Sequence, residues 1–165
     1  MVNTEKMIGL DQLRVQDLAA FEEIHDIANR AIGFVDDQPW CNKLKNIWLA
    51  DSVGHIYGIF LADIEVSINS GADDQVWIVV GDIPTAYLDV KSCKTTDEVT
   101  EAYVFLMREW ISAVYNGQDV SELYPVGVPA TIEWAKKLES RIKFIEKISF
   151  TLSHRFFRMT LLDRR

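Results

Sequence analysis

The chain has 165 residues, 48% hydrophobic and 25% charged, with five Trp and a formal charge of −8. That length supports one sizeable core and is short for two, so a single domain spanning 1–165 is expected. The acidity argues against nucleic acid as a partner, because a phosphate backbone calls for a basic footprint.

The charge is unevenly spread. Residues 149–165 hold four Arg against Asp163, leaving −11 on residues 1–148; this basic segment reads as a solvated tail, or as an edge strand facing the acidic body or a partner. Cys41 and Cys93 form no CxxC pair and no disulfide framework, which fits a reducing cytoplasm. The N-terminus lacks a basic stretch followed by an apolar run, and no segment has the length and apolarity to span a bilayer, so a cytoplasmic protein with no membrane partner is expected.

In chain order, Leu18, Phe21, Ile24, Ala28 and Ile32 recur at helical steps over residues 10–32, with Asp11 or Asp17 as N-cap and Gly33 as stop. The stretch Phe34 to Trp40 then breaks the helix through clustered Asp and Pro39. Residues 41–50 suit a short helix with Leu44, Ile47 and Trp48 inward.

From Ser52 to Asn69 the period becomes two. Ile56, Phe60, Ala62, Ile64 and Val66 share one parity, while the other starts apolar and turns polar at Asp63 and Glu65. Residues 69–74 form a hairpin loop, and Val76–Val80 returns as a strand apolar on both faces. The Gly81-Asp82-Ile83-Pro84 connection leads into a half-buried strand over Thr85–Val90.

Thr95 and Glu98 form a capping box ahead of a helical stripe from Val99 to Val114 that ends at Asn116-Gly117. After a loop over 118–129, Ile132, Ala135, Leu138, Ile142 and Ile145 mark a second helix over 131–147. Phe150, Leu152, His154 and Phe156 alternate as a strand, while Phe157, Leu161 and Leu162 fit a helical face; a strand or extended segment is favoured. The fold class that follows is α+β: an antiparallel meander of three to four strands with helices packed on it.

The run Gly81-Asp82-Ile83-Pro84-Thr85-Ala86-Tyr87-Leu88, followed by two amphipathic helices carrying Trp110 and Glu133-Trp134, resembles a group of small uncharacterised bacterial proteins over roughly residues 52–148. The resemblance implies a bacterial protein and brings no known activity.

No constellation assigns a catalytic residue, a metal or a cofactor. Glu22 and His25 share a helix face, but carboxylate-bridged metal sites need a second Glu-x-x-His step, which the chain lacks. His55 and Asp63 are eight residues apart, about 26 Å on an extended strand, too far to share an ion. Cys41 and Cys93 neighbour Lys43 and Lys94 yet have no evident base, so inert thiols are the better reading. Nucleotide fingerprints are absent too.

Binding residues are better supported by composition. Trp40, Tyr115 and Tyr124 lie in or beside loops, where Trp and Tyr favour interfaces, while Trp77 and Trp110 fall on core patterns. Asp63, Glu65, Asp82 and Tyr87 complete the candidate set. The reading that follows is a non-enzymatic protein-binding module, immunity-like or regulatory, whose acidic, aromatic surface takes a basic partner such as a toxin. A homodimer through the Trp110 and Trp134 helices is a further expectation. The alternative is a small hydrolase or ligand-binding enzyme with an acidic site near Asp63, Glu65 and Asp82.

Overall fold

Two adjacent strands buried on both faces set the architecture. In the computed structural model, which describes residues 1–68 and 70–162 and side chains only as far as 149, five strands form one antiparallel sheet. They are β1 (Ile8–Gly9), β2 (Cys41–Val53), β3 (Tyr57–Val66), β4 (Gln75–Gly81) and β5 (Ala86–Asp89), in the order β1-β2-β3-β4-β5. Helices α1 (Leu10–Gln16) and α2 (Leu18–Asp36) precede β2, and α3 (Thr96–Tyr115) and α4 (Ile132–Leu162) follow β5. The chain divides into two compact units, Met1–Val99 and Thr100–Arg165, so α3 begins in the first and ends in the second.

In the first unit, the alternation read from sequence places side chains correctly. Phe60, Ala62 and Ile64 of β3 and Val76, Ile78 and Val80 of β4 share one face, where they cluster with Ile24, Ile27, Ala28, Ala31 and Val35 of α2. Each Ile or Phe buried this fully stabilises the fold by about 1.5–3 kcal/mol. On the other face Ile59, Leu61, Trp77 and Val79 are also fully buried, and the Trp77 indole donates to the Cys93 carbonyl at 2.9 Å. A strand covered on both sides reads as an unbroken apolar run, which Val76–Val80 is.

Several expectations need correction. The sheet has five strands rather than three to four, because residues 41–50 are not a helix: they open β2, and Ile8–Gly9 adds a short edge strand at Leu49 and Trp48. The misreading has a physical cause. Register shifts fall between Cys41 and Lys43, Leu44 and Asn46, and Leu49 and Asp51. Cys41, Leu44, Ile47 and Leu49 consequently stand opposite Val66, Ile64, Ala62 and Phe60. The first two bulges each insert a residue, so steps of two in β3 become steps of three from Cys41 to Ile47 and imitate a helical period.

The long strand expected from Ser52 is in fact two. Ser52 and Val53 end β2, a turn with Gly54 at φ +53° follows, and β3 starts at Tyr57. Asp17 does cap α2, accepting from the Ala20 amide at 3.0 Å, but it also separates α2 from α1. Gly33 does not stop the helix, which runs to Asp36 because Val35 continues the buried stripe.

At the start of α3 the capping box forms reciprocally: the Glu98 amide donates to Thr95 Oγ1 at 3.2 Å, and the Thr95 amide to Glu98 Oε2 at 3.2 Å. At its end Gln118 donates to the Ala113 carbonyl and Gly117 to the Val114 carbonyl, a Schellman motif around Gly117 at φ +65°. In the second unit the Arg108 guanidinium on α3 grips Glu146 on α4 with two donors. The strand favoured for 149–162 does not form, since α4 continues to Leu162. Extending an existing helix adds a hydrogen bond per residue without a new nucleus, so local alternation yields to it. Residues 163–165 lie outside the described residues.

Gly81 is the tightest point of the sheet. Its φ is +152°, and a Cβ there would stand 2.0 Å from the Ile56 carbonyl oxygen, whereas a Cβ at Gly117 would meet nothing within 4 Å. Gly81→Ala should therefore lower the unfolding free energy by at least about 3 kcal/mol, or prevent folding. Gly117→Ala should cost only about 1–2 kcal/mol, and urea unfolding of both variants checks the contrast.

Candidate binding surface

Three aromatic rings meet on the α2 face of the sheet, each brought there by a different element. Phe34 sits in the last turn of α2, Trp40 immediately precedes β2, and Tyr87 stands on β5 opposite Ile78, so it shares the face that α2 covers. The Trp40 and Tyr87 ring centroids are 5.3 Å apart in an edge-on arrangement, and those of Phe34 and Tyr87 are 6.2 Å apart. Such geometries favour aromatic pairs beyond simple burial. Phe34 and Trp40 are half-buried against the core, while Tyr87 remains 41% exposed.

The backbone that presents Trp40 is held firmly. Gln38 Nε2 donates to the Phe34 carbonyl at 3.0 Å, the Cys41 amide to the Gln38 carbonyl at 3.0 Å, and the Ser67 amide to the Trp40 carbonyl at 2.9 Å. Ser67 Oγ also donates to the Pro39 carbonyl at 3.0 Å. A preordered loop of this kind loses little entropy when a partner docks.

Two and three residues after Phe34, Asp36 and Asp37 lie exposed at the C-terminal end of α2, and the last turn contains no basic residue. This violates helix electrostatics. The macrodipole places partial negative charge at a helix C-terminus, so each carboxylate there costs about 0.3–1 kcal/mol. The charge of Asp36 is felt by Cys41, whose thiol is pushed up by burial and then by that carboxylate. Burial likewise raises the Cys93 thiol, with help from Glu98 and Asp89. Both cysteines are therefore poorer nucleophiles than a free thiol.

The remaining candidates do not join this cluster. Asp63 accepts from Gln75 Nε2 at 2.8 Å, and Gln75 Oε1 accepts in turn from the Val2 amide at 2.8 Å, so that carboxylate ties the N-terminus to the sheet. Glu65 is exposed and stands opposite Lys43. Both alternate with Ala62 and Ile64, which puts them on the face away from Tyr87. Asp82 lies past the far end of β4, about 23 Å from Gln75 along an extended strand, with its amide bound to the Ile56 carbonyl at 2.8 Å. The neighbouring Gly81 carbonyl accepts from the Arg30 guanidinium at 2.8 Å.

Tyr115 and Tyr124 belong to the second unit. The Tyr115 hydroxyl donates to Glu139 Oε2 at 3.0 Å, and its phenol is raised by desolvation and by that carboxylate. Tyr124 is half-buried in the loop after α3. Trp77 and Trp110 are core residues, as their patterns predicted. Of the two helices expected to offer a homodimer face, only the second presents its Trp: Trp134 is 38% exposed against 2% for Trp110. His25 pairs with Asn29 at 3.1 Å, and among the described residues no three His, Cys, Asp or Glu side chains are grouped to hold a metal ion.

Known proteins add no likeness. No family model, no curated protein and no solved structure matches this chain.

Phe34, Asp36, Asp37 and Asp51 were not among the sequence candidates. The first three lie in the stretch whose Asp and Pro content predicts a helix break, although Val35, four residues after Ala31, carries the signal that the helix continues. Asp51 sits in β2 with its carboxyl raised, chiefly by burial and further by Asp97, while the Ser52 amide at 2.8 Å opposes the shift.

Two stability tests follow. Asp36→Asn with Asp37→Asn should raise the melting temperature by a few degrees, since it removes two carboxylates from the negative end of α2. Asp51 has a folded-state pKa above its ordinary value of 3.8, so its stabilising contribution is complete below that pH and is lost as pH rises through the folded value. Asp51→Asn should thus match the natural protein below about pH 3.8 and exceed it at neutral pH, as urea midpoints measured across that range would report.

Proposed function

We propose that this chain is a non-enzymatic protein-binding module, bacterial and cytoplasmic, which captures a basic partner on the surface formed by Phe34, Trp40 and Tyr87 with Asp36 and Asp37. One observation carries the reading. Two carboxylates follow Phe34, one ring of the half-exposed aromatic cluster, at the helix end where they destabilise the fold. Residues that break a local rule without a structural gain mark function more often than folding. Here the gain would be a cationic group drawn in by the acidic rim and seated against the rings.

Charge supports the same direction. The Met1–Val99 unit carries 17 Asp and Glu against seven Lys and Arg. An excess of that kind speeds encounter with basic proteins through long-range attraction. An immunity-like or regulatory role, in which the module neutralises a basic effector, fits this chemistry. The hydrolase alternative is less favoured, because Asp63 and Glu65 stand on one face of the sheet, Tyr87 on the other, and Asp82 at the opposite end of β4.

Capture from a native-host lysate by the natural protein and by Trp40→Ala with Tyr87→Ala tests the reading. A partner retained by the first and lost from the second, with unfolding midpoints that remain cooperative in both, is the expected result. A partner held equally by both would remove this surface from consideration.

A further inference from the structure

The second unit carries an open groove of about 660 Å³ along α3 and the loop that follows it. Its apolar lining includes Phe105 and Leu123, and its polar lining includes Arg108, Glu109, Ser112 and Asp119. Phe105 is 62% exposed in the middle of a helix whose Tyr103, Met107 and Trp110 are buried. It therefore lies off the stripe that folds the helix.

The electrostatics of the groove are one-sided. Among the described residues Arg108 is its one basic lining residue, and both carboxylate oxygens of Glu146 engage that guanidinium. Glu109 and Asp119 remain. Ser121 donates to Asp119 through its amide at 3.0 Å and its hydroxyl at 2.6 Å, which holds that carboxyl below the usual range and keeps it ionised. Glu101 is exposed on the same row of α3 as Phe105 and Glu109, four residues before the phenylalanine, and Glu122 is exposed beside Leu123. Among the described residues, an apolar floor is thus flanked by carboxylates, with its one cation already matched.

We propose that this groove docks a basic amphipathic helix of a partner protein, with one large apolar side chain set on Phe105 and Leu123 and its Lys or Arg residues facing Glu109 and Asp119. The occupant's chemistry follows from complementarity. An anionic lipid surface or a nucleic acid would be repelled by the rim. A purely polar polycation would leave the Phe105 floor wet, whereas an amphipathic helix laid in a groove buries it with its own apolar row. This surface is borne by the second unit and goes beyond the function proposed for the first.

The test uses the full chain and two synthetic peptides of equal length and equal positive charge, one an amphipathic Lys/Leu helix and the other a Lys/Ser sequence without apolar residues, titrated calorimetrically. The helix should bind at least about tenfold more tightly than the Lys/Ser peptide. Phe105→Ala and Glu109→Lys, both at exposed positions, should each erase most of that difference, with cooperative unfolding retained. With Trp40→Ala and Tyr87→Ala already in place, to remove any binding at the first surface, the preference should persist and Phe105→Ala should still erase most of it, so failure here is distinguishable from failure of the first surface. Equal affinity for the two peptides would overturn the proposal, as would a preference for the helix that survives Phe105→Ala or disappears instead with the Trp40 and Tyr87 substitutions.

Discussion

The pairing of β3 with β4, from Tyr57 opposite Gly81 to Asp63 opposite Gln75, is the constraint on which the first unit rests. From Tyr57 to Ala62 and from Val76 to Gly81 the two strands are buried on both faces, so their amides and carbonyls have no water to turn to and must be satisfied along the ladder. That requirement fixes the register, and the register decides the rest. It places Phe60, Ala62 and Ile64 where α2 can cover them, and it brings Gly81 against the Ile56 carbonyl at a distance no side chain would tolerate. Arg30, reaching from α2 to the Gly81 carbonyl, ties the covering helix to the same point.

With the ladder fixed, the aromatic cluster becomes a consequence of where elements end. The α2 helix passes Gly33 because Val35 has a place in the core, and this carries Phe34 to the edge of the sheet. Trp40 is then held by backbone bonds from the tight loop and from Ser67, while Tyr87 arrives from the edge strand β5. Core packing would be served by any apolar residue at these positions. It does not account for Asp36 and Asp37 at the wrong end of a helix dipole, which is why the cluster reads as a surface kept for a partner.

The acidic residues that looked like one site in the sequence turn out to have separate structural duties. Asp63 anchors Gln75 and through it Val2, and Asp82 follows the glycine that closes β4. Period-two alternation alone put Asp63 and Glu65 on one face, and that was correct. Which face, and at which end of the neighbouring strand, depended on pairing with β4 and β5. In the second unit, the groove beside Phe105 gains its acidic character from a contact between helices, since Arg108 is matched by a carboxylate 38 residues away.

Local chemistry was enough wherever a short stretch contained its own answer. Thr95 with Glu98 and Gly117 fixed both ends of α3, unbroken apolarity marked β4 as covered on both faces, and alternation divided the faces of β3. Where the answer lay in another segment, the sequence pointed the wrong way. Two register shifts against β3 gave the start of β2 the spacing of a helix, a core position for Val35 overrode the stop signal at Gly33, and α4 ran through an alternating stretch to Leu162. The meeting of Phe34, Trp40 and Tyr87 was decided by tertiary structure alone, because rings 53 residues apart in the chain become neighbours only after strand pairing and helix packing have set where each element stops.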